Sequence, residues 1–355
     1  MKMLGKAKML EKNDNFIIWI DVLRIFCCFC IILLHVSGMM TDFSYIGYRL
    51  IQAIVRPALW TFLSITGFLV IGGKKIKDYK LFVLKHILSL LIPAIVYLFF
   101  YNLYLNNTIM YNPYPYIFNM PVGHLWYIYA LIVLYFVMPF IQSAFNSLSE
   151  RQLILMLAVI LVFNRLNDIL YAFGKTIAFD LTLVGNIYIY YLGIGFFFRR
   201  YYGMIRQEIG KVRAVKIGGG LVFCSCGLTC WESVHPILVN KCYNLSLGMT
   251  LGGLAFFILF SEIEIKNDAI RNKIHYISNR MYGVFLVHML FLWILRDYYP
   301  VGNGKIIIQT KNVIVLSVGV FVSSLVFAIV IDFVINLTAT ALRKMLKNVG
   351  LKERL

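Results

Sequence analysis

The sequence predicts an all-α polytopic membrane protein with about ten transmembrane helices and both termini in the cytoplasm. Three observations lead there. Of the 355 residues, 61% are hydrophobic and only 14% charged, and the mean hydropathy is +0.79, a balance foreign to a soluble domain of this size. Apolar runs of the ~20 residues needed to cross a bilayer recur along the whole chain. The 34 lysines and arginines fall mainly in alternate connecting segments, the pattern of the positive-inside rule.

In chain order the spans are centred on residues 17–40, 48–71, 84–104, 124–143, 153–173, 182–198, 214–230, 245–262, 278–295 and 312–337. With the N-terminus inside, the cytoplasmic segments hold 25 Lys/Arg and the outer loops only five: Lys175, Lys241, Arg296, Lys305 and Lys311. The remaining four, Arg24, Arg49, Arg56 and Arg165, lie within or beside the spans. The formal charge of +18 is therefore a mark of topology, reinforced by attraction to anionic membrane lipid, and implies no nucleic-acid partner. No linker, repeat or low-complexity tract divides the chain, so residues 1–355 read as a single membrane domain. It comprises a cytoplasmic tail 1–16, a helical core 17–337 and a second tail 338–355. The first span is too long and too charged for a cleavable signal and should persist as a helix.

That first span, "IDVLRIFCCFCIILLHVSG", contains Asp21, Arg24 and His35, each costly in hydrocarbon. Arg24 and His35 are eleven residues apart, three helical turns plus ~20°, so they share a face with ~16.5 Å of rise between them. Asp21 is one turn from Arg24, close enough to pair with it. One face thus carries a cation near the cytosolic side and a titratable imidazole far across. Intramembrane charges of this kind tend to mark pathways, although a structural ion pair and a hydrogen-bonded histidine are the plainer alternative.

Later spans add polar groups at the depth of His35. Arg49 and Arg56 are seven residues apart on the second span, and His124, Trp126 and Tyr127 open the fourth. Arg165, with Asn164 and Asn167, lies toward the outer end of the fifth. Converging helices would make these an outward-facing polar cavity. In "ISNRMYGVFLVHML" the ninth span opens with Ser278 and places His288 in mid-membrane, with Gly283 allowing close packing. Six of the seven cysteines, Cys27, Cys28, Cys30, Cys224, Cys226 and Cys230, sit inside predicted spans as small apolar packers, and no metal-binding spacing is present. Cys230 and Cys242 flank one outer loop and would bridge only in an oxidising compartment. Loop 105–123, rich in Tyr, Asn and Pro and without charge, suits either a lid or an interfacial aromatic belt, and loop 296–311 is a second candidate. "GGG" at 218–220 points to close helix packing.

Four stretches carry a family resemblance. "WIDVLRIFCCFCIILLH" resembles the first-helix signature of the integral-membrane acyltransferase 3 family, an Arg, ten residues, then a His. "RPALWTFLSITGFLV" is similar to that family's second-helix pattern, with Thr66 where a serine is usual. "GHLWYIYALIVLYFVMPFI" resembles its fourth-helix pattern, and "ISNRMYGVFLVH" its late Tyr-Gly-x-(Tyr/Phe)-Leu-x-His pattern. The order along residues 19–290 is the expected one.

The resemblance implies transfer of an acyl group, usually acetyl, from cytosolic acyl-CoA to a hydroxyl of a cell-surface or lipid-linked carbohydrate at a bacterial plasma membrane. No metal is expected. His35 would be the general base, Arg24 would bind or align the donor, and Asp21 would fix Arg24. Arg49, Arg56, Arg165, His124, Trp126, Tyr127 and His288 would contact substrate. Basic loops such as "RRYYGMIR" would receive the phosphates of acetyl-CoA. Some relatives carry a further extracytoplasmic domain after the membrane core; this chain would complete transfer with the core or pass the acyl group to a partner. Proteins sharing "WIDVLR" also include membrane portions of racemases for which amino-acid transport is inferred, so a carrier for a small amino acid or acyl group is the alternative. A scaffold for a glycan synthase is a third possibility.

Overall fold

A computed structural model describes residues 18–39, 45–110, 112, 123–175, 186–234, 243, 245–298 and 312–348, excepting the side chains of residues 45, 46, 167, 168, 171, 172 and 336–348. The described residues form helices: α1 (Ile18–Ser37), α2 (Tyr45–Val55), α3 (Pro57–Thr66) continued by a π-helical turn (Gly67–Ile71), α4 (Tyr79–Asn106), a 3-10 turn (Gly123–Leu125) leading into α5 (Trp126–Ser147), α6 (Glu150–Ala172), α7 (Ile187–Val234), α8 (Leu247–Ser261), α9 (Asp268–Ser278), α10 (Met281–Tyr298) and α11 (Val313–Asn348).

Local chemistry sets the boundaries. Asp78, Ser246 and Asn267 cap α4, α8 and α9, each accepting a backbone N–H one turn on, which satisfies a donor the helix start would leave open. Asn107 ends α4 in the left-handed region at φ 48°. Pro57 opens α3, where its missing N–H costs nothing. Gln142 of α5 closes the π-helical turn: its amide donates to the carbonyls of Val70, Ile71 and Lys74 at 3.1–3.2 Å and its oxygen accepts from Ile76 N at 2.9 Å. A buried glutamine thereby pairs backbone groups that a widened turn cannot pair itself.

Six runs are long and apolar enough to cross a membrane: α1, Gly47–Ile71, α4, Gly123–Ser147, α7 and α11. The α9–α10 pair, bent by 54°, makes a seventh if counted as one span. Every expected apolar run coincides with a helix, but the expected sixth and seventh runs share α7. The helix is interrupted at Gly210, whose φ of 65° and ψ of 159° are not helical. The eighth is α8, only 15 residues long. The Cys230–Cys242 pairing and most of loops 105–123 and 296–311 lie outside the described residues.

Two helices organise the packing. α1 touches α2, α3, α8, α9, α10 and α11, while α7 touches α2, α3, α6, α8 and the π-helical turn. The second contact is very close. A Cβ on Gly67 would lie 2.1 Å from the Leu192 carbonyl oxygen, and one on Gly195 would lie 1.8 Å from that of Ser64, so only glycine fits at either position. Of the three glycines at 218–220, Gly218 alone meets a neighbour, Leu259. Polarity is inverted relative to a soluble protein. Asp21, Gln52, Thr61, Ser64, Gln142, Ser278 and His288 are buried, whereas Val133, Phe140, Leu155, Phe223 and Val315 are all more than 60% exposed. Apolar surface on this scale suits lipid rather than water. Cys27, Cys28 and Cys30 are buried as expected; Cys224 is exposed on α7.

Candidate active site

At the N-terminal end of α1, Asp21 and Arg24 meet the junction of α9 and α10. Ser278 Oγ donates to Asp21 Oδ1 at 2.7 Å, and Arg24 Nη1 donates to Ser278 Oγ at 3.0 Å. The direct contact from Arg24 Nη1 to Asp21 Oδ1 is longer, 3.4 Å. The other carboxylate oxygen, Oδ2, takes a hydrogen bond from His275 Nδ1 at 2.9 Å. The expected Asp21–Arg24 pair therefore exists, with a serine hydroxyl seated between its partners. Hydrogen bonds to an ionised group are the strong ones, and here they join α1 to a helix more than 250 residues on in sequence.

Arg24 also stands at the edge of a cavity of about 420 Å³ enclosed by α1, α3, the π-helical turn, α4, α5 and α10. Its wall is mostly apolar, with hydroxyls from Thr66, Tyr127, Tyr135 and Tyr282. Tyr282 donates its hydroxyl to the Leu90 carbonyl at 2.8 Å. The wall also includes Tyr127 and Phe285, whose rings lie 5.8 Å apart between centroids.

Phe285 lines the cavity and also packs against two members of a cluster of three histidines. Its ring is 5.3 Å from that of His124 and 5.9 Å from that of His288. The histidine rings lie 4.7 Å (His124–His288), 5.2 Å (His35–His288) and 6.1 Å (His35–His124) apart. His288 is wholly buried, and its Nδ1 is 2.7 Å from the Phe285 carbonyl oxygen. An acceptor there requires Nδ1 to carry the hydrogen, which leaves Nε2 as a lone pair. That Nε2 and both nitrogens of His124 are buried without a hydrogen-bond partner among the described residues. Arg24 and His35 do not share this cavity: Arg24 lines it, whereas His35 packs against His288, whose ring in turn lies 5.9 Å from that of the cavity-lining Phe285.

The remaining expected residues divide. Arg56 lies within electrostatic reach of His35. Its Nε donates to Gln52 Oε1 at 2.6 Å, Gln52 donates to Ser37 Oγ at 3.0 Å, and the guanidinium lies 3.9 Å above the Tyr243 ring. Trp126 joins an aromatic group with Trp60 and Tyr188. Arg165 reaches α7 instead, pairing with Glu232 at 2.9 Å, and buried Arg49 faces α7 near Cys230. Three participants escaped sequence reasoning: His275, Gln52 and Glu232. For Gln52 a signal existed, since it stands one turn before Arg56, and Glu232 is an acid inside an apolar run. Among the described residues no group of His, Cys, Asp and Glu is arranged to hold a metal ion.

Helices of this length and apolarity, with polar groups buried among them and a cavity inside the bundle, make an integral membrane protein. The family model described as an acyltransferase domain matches residues 17–333. The chain belongs to the acyltransferase 3 family, and it is a membrane acyltransferase. Neither a curated protein nor a solved structure matches it.

Proposed function

We propose that the protein moves an acetyl or other short acyl group from cytosolic acyl-CoA to a hydroxyl of a cell-surface or lipid-linked carbohydrate. It would do so from a bacterial plasma membrane, as one domain of ten spans with both termini cytoplasmic. The observation that carries this reading is a cavity bordered by the Arg24 guanidinium and by Phe285, whose ring packs against two of three clustered imidazoles. About 420 Å³ is at the small end of ligand pockets and suits the slender arm of a thioester rather than its nucleotide. The phosphates then belong on the basic segments 199–216 and 263–280, on the cytoplasmic side.

In this reading Arg24 holds the donor, with Asp21 holding Arg24. His35 accepts the proton of the acceptor hydroxyl as its oxygen bonds to the thioester carbonyl carbon. As the carbon–sulfur bond breaks, His35 returns that proton to the departing sulfur, so the imidazole ends unchanged. Arg56, steadied by Gln52, faces the oxygen on which negative charge develops. His124, Trp126 and Tyr127 receive the acceptor, with Arg49 and Arg165 toward α7. His288, wholly buried, acts on its histidine neighbours. Phe285 must swing aside for the two ends to communicate.

The test is release of coenzyme A from isotopically labelled acetyl-CoA by the full chain in proteoliposomes, with mass spectrometry of envelope glycans from cells that express or lack it. Label on glycan, lost in His35→Ala, supports the reading. Saturable uptake of amino acid without transfer would establish the carrier instead.

A further inference from the structure

Arg24 is held in an unusual way for a cation that has to bind something. Within its network only Nη1 is engaged, donating to Ser278 and Asp21, while the side chain keeps a quarter of its surface accessible and borders the cavity. The negative charge opposite it is already committed three ways, to Ser278, His275 and Arg24 itself. Among the described residues, the rest of the cavity wall holds hydroxyls, aromatic rings and aliphatic groups, and no second cation. A polyanion is a poor match for such a place, since one guanidinium already offset by a carboxylate offers little net charge. A neutral carbonyl oxygen is a good match, because it needs directed N–H donors rather than charge.

We infer that Ser278 and His275 are positioning residues that present Arg24 as a hydrogen-bond donor to a neutral carbonyl in the arm of the donor thioester, leaving the phosphates to be bound elsewhere. This inference rests on the proposed acyl-CoA donor. Ser278 passes the carboxylate's pull to Nη1 through its hydroxyl, because the direct contact is long. His275 occupies Oδ2, so the carboxylate cannot rotate to take both guanidinium nitrogens face to face. The unengaged N–H groups of Arg24 are thereby left to the cavity.

The experiment compares Michaelis kinetics of the full chain in proteoliposomes with acetyl-CoA and with acetyl-pantetheine, which has the same arm and no nucleotide. Ser278→Ala should raise KM for both thioesters by the same factor, roughly tenfold, the size of one lost charge-assisted hydrogen bond, with kcat within about twofold. His275→Ala should give a smaller rise. His275→Asn, which keeps an N–H near the position of Nδ1, should recover most of it. A KM rise confined to acetyl-CoA would make Arg24 a phosphate site and overturn the inference, as would a fall in kcat at constant KM, or no change in either variant. If Ser278→Ala fails to fold, the His275 pair decides alone, since that side chain is over a third exposed. Absence of turnover of both thioesters by the unaltered protein would sink the donor reading and this inference with it, a result distinct from turnover that the variants leave untouched.

Discussion

The two ends of α1 are built on opposite plans. Near Arg24, an acid, a serine, a histidine and an arginine from two distant parts of the chain satisfy one another. Around His35, three imidazoles crowd within about 6 Å of each other, and three of their buried nitrogens have no hydrogen-bond partner among the described residues. Leaving a buried polar atom unpaired costs on the order of 1–3 kcal/mol, so folding alone gives no reason for the second arrangement. The first end reads as a fixed mount. The second reads as a place that stores unmet hydrogen-bonding capacity for chemistry.

Substitutions can break or sharpen that contrast. The largest effect belongs to His35→Ala. Acyl transfer, followed as labelled product, should fall by about 10²–10⁴-fold, the usual contribution of a general base, while the thermal midpoint in detergent stays with that of the unaltered protein. A comparable loss of fold would make His35 part of the mount and erase the distinction. Arg24→Leu should lower both transfer and stability, since it removes the donor's ligand and takes one of three partners from the Asp21 carboxylate at 5% exposure. Stability should drop by about 2–4 kcal/mol, somewhat below a fully buried pair because Arg24 is partly accessible. Adding Asp21→Asn should recover part of the loss in a denaturation series, and failure to recover would show that the two do not act as a pair.

Next comes Gln52→Leu, which frees Arg56 from its 2.6 Å restraint. Transfer should slow roughly tenfold, the worth of one misdirected hydrogen bond, with little change in unfolding. The smallest effect is His124→Phe. Since neither ring nitrogen has a hydrogen-bond partner among the described residues, an apolar ring of similar size should leave stability within about 0.5 kcal/mol or raise it. A marked loss in calorimetry would reveal that His124 is held by something in the folded state, and the contrast would fail there.

How much of this was legible in the sequence follows from distance along the chain. The Asp21–Arg24–His35 column could be read because helix geometry is local: spacing alone fixes face and rise. The acyltransferase pattern was legible for a related reason, in that its four stretches each lie within one helix. Ser278 was visible as a polar opening to the ninth span, but its seat between Asp21 and Arg24 was not. Nor was His275, because the meeting depends on the 54° break between α9 and α10, which no periodicity encodes. Arg165 shows the same limit. As an isolated cation it suggested a wall of the outer cavity, yet Glu232 lies 67 residues away and claims it across two helices. Pairing between remote elements outranks depth in deciding where a charge points.

One consequence concerns the bent rod made of α9 and α10. Ser278 and His275 sit before the bend and grip the Arg24 mount; His288 sits beyond it among the imidazoles, three turns along. One helix pair thus takes part in both arrangements. A substitution at the bend should therefore be felt at both ends of α1 at once.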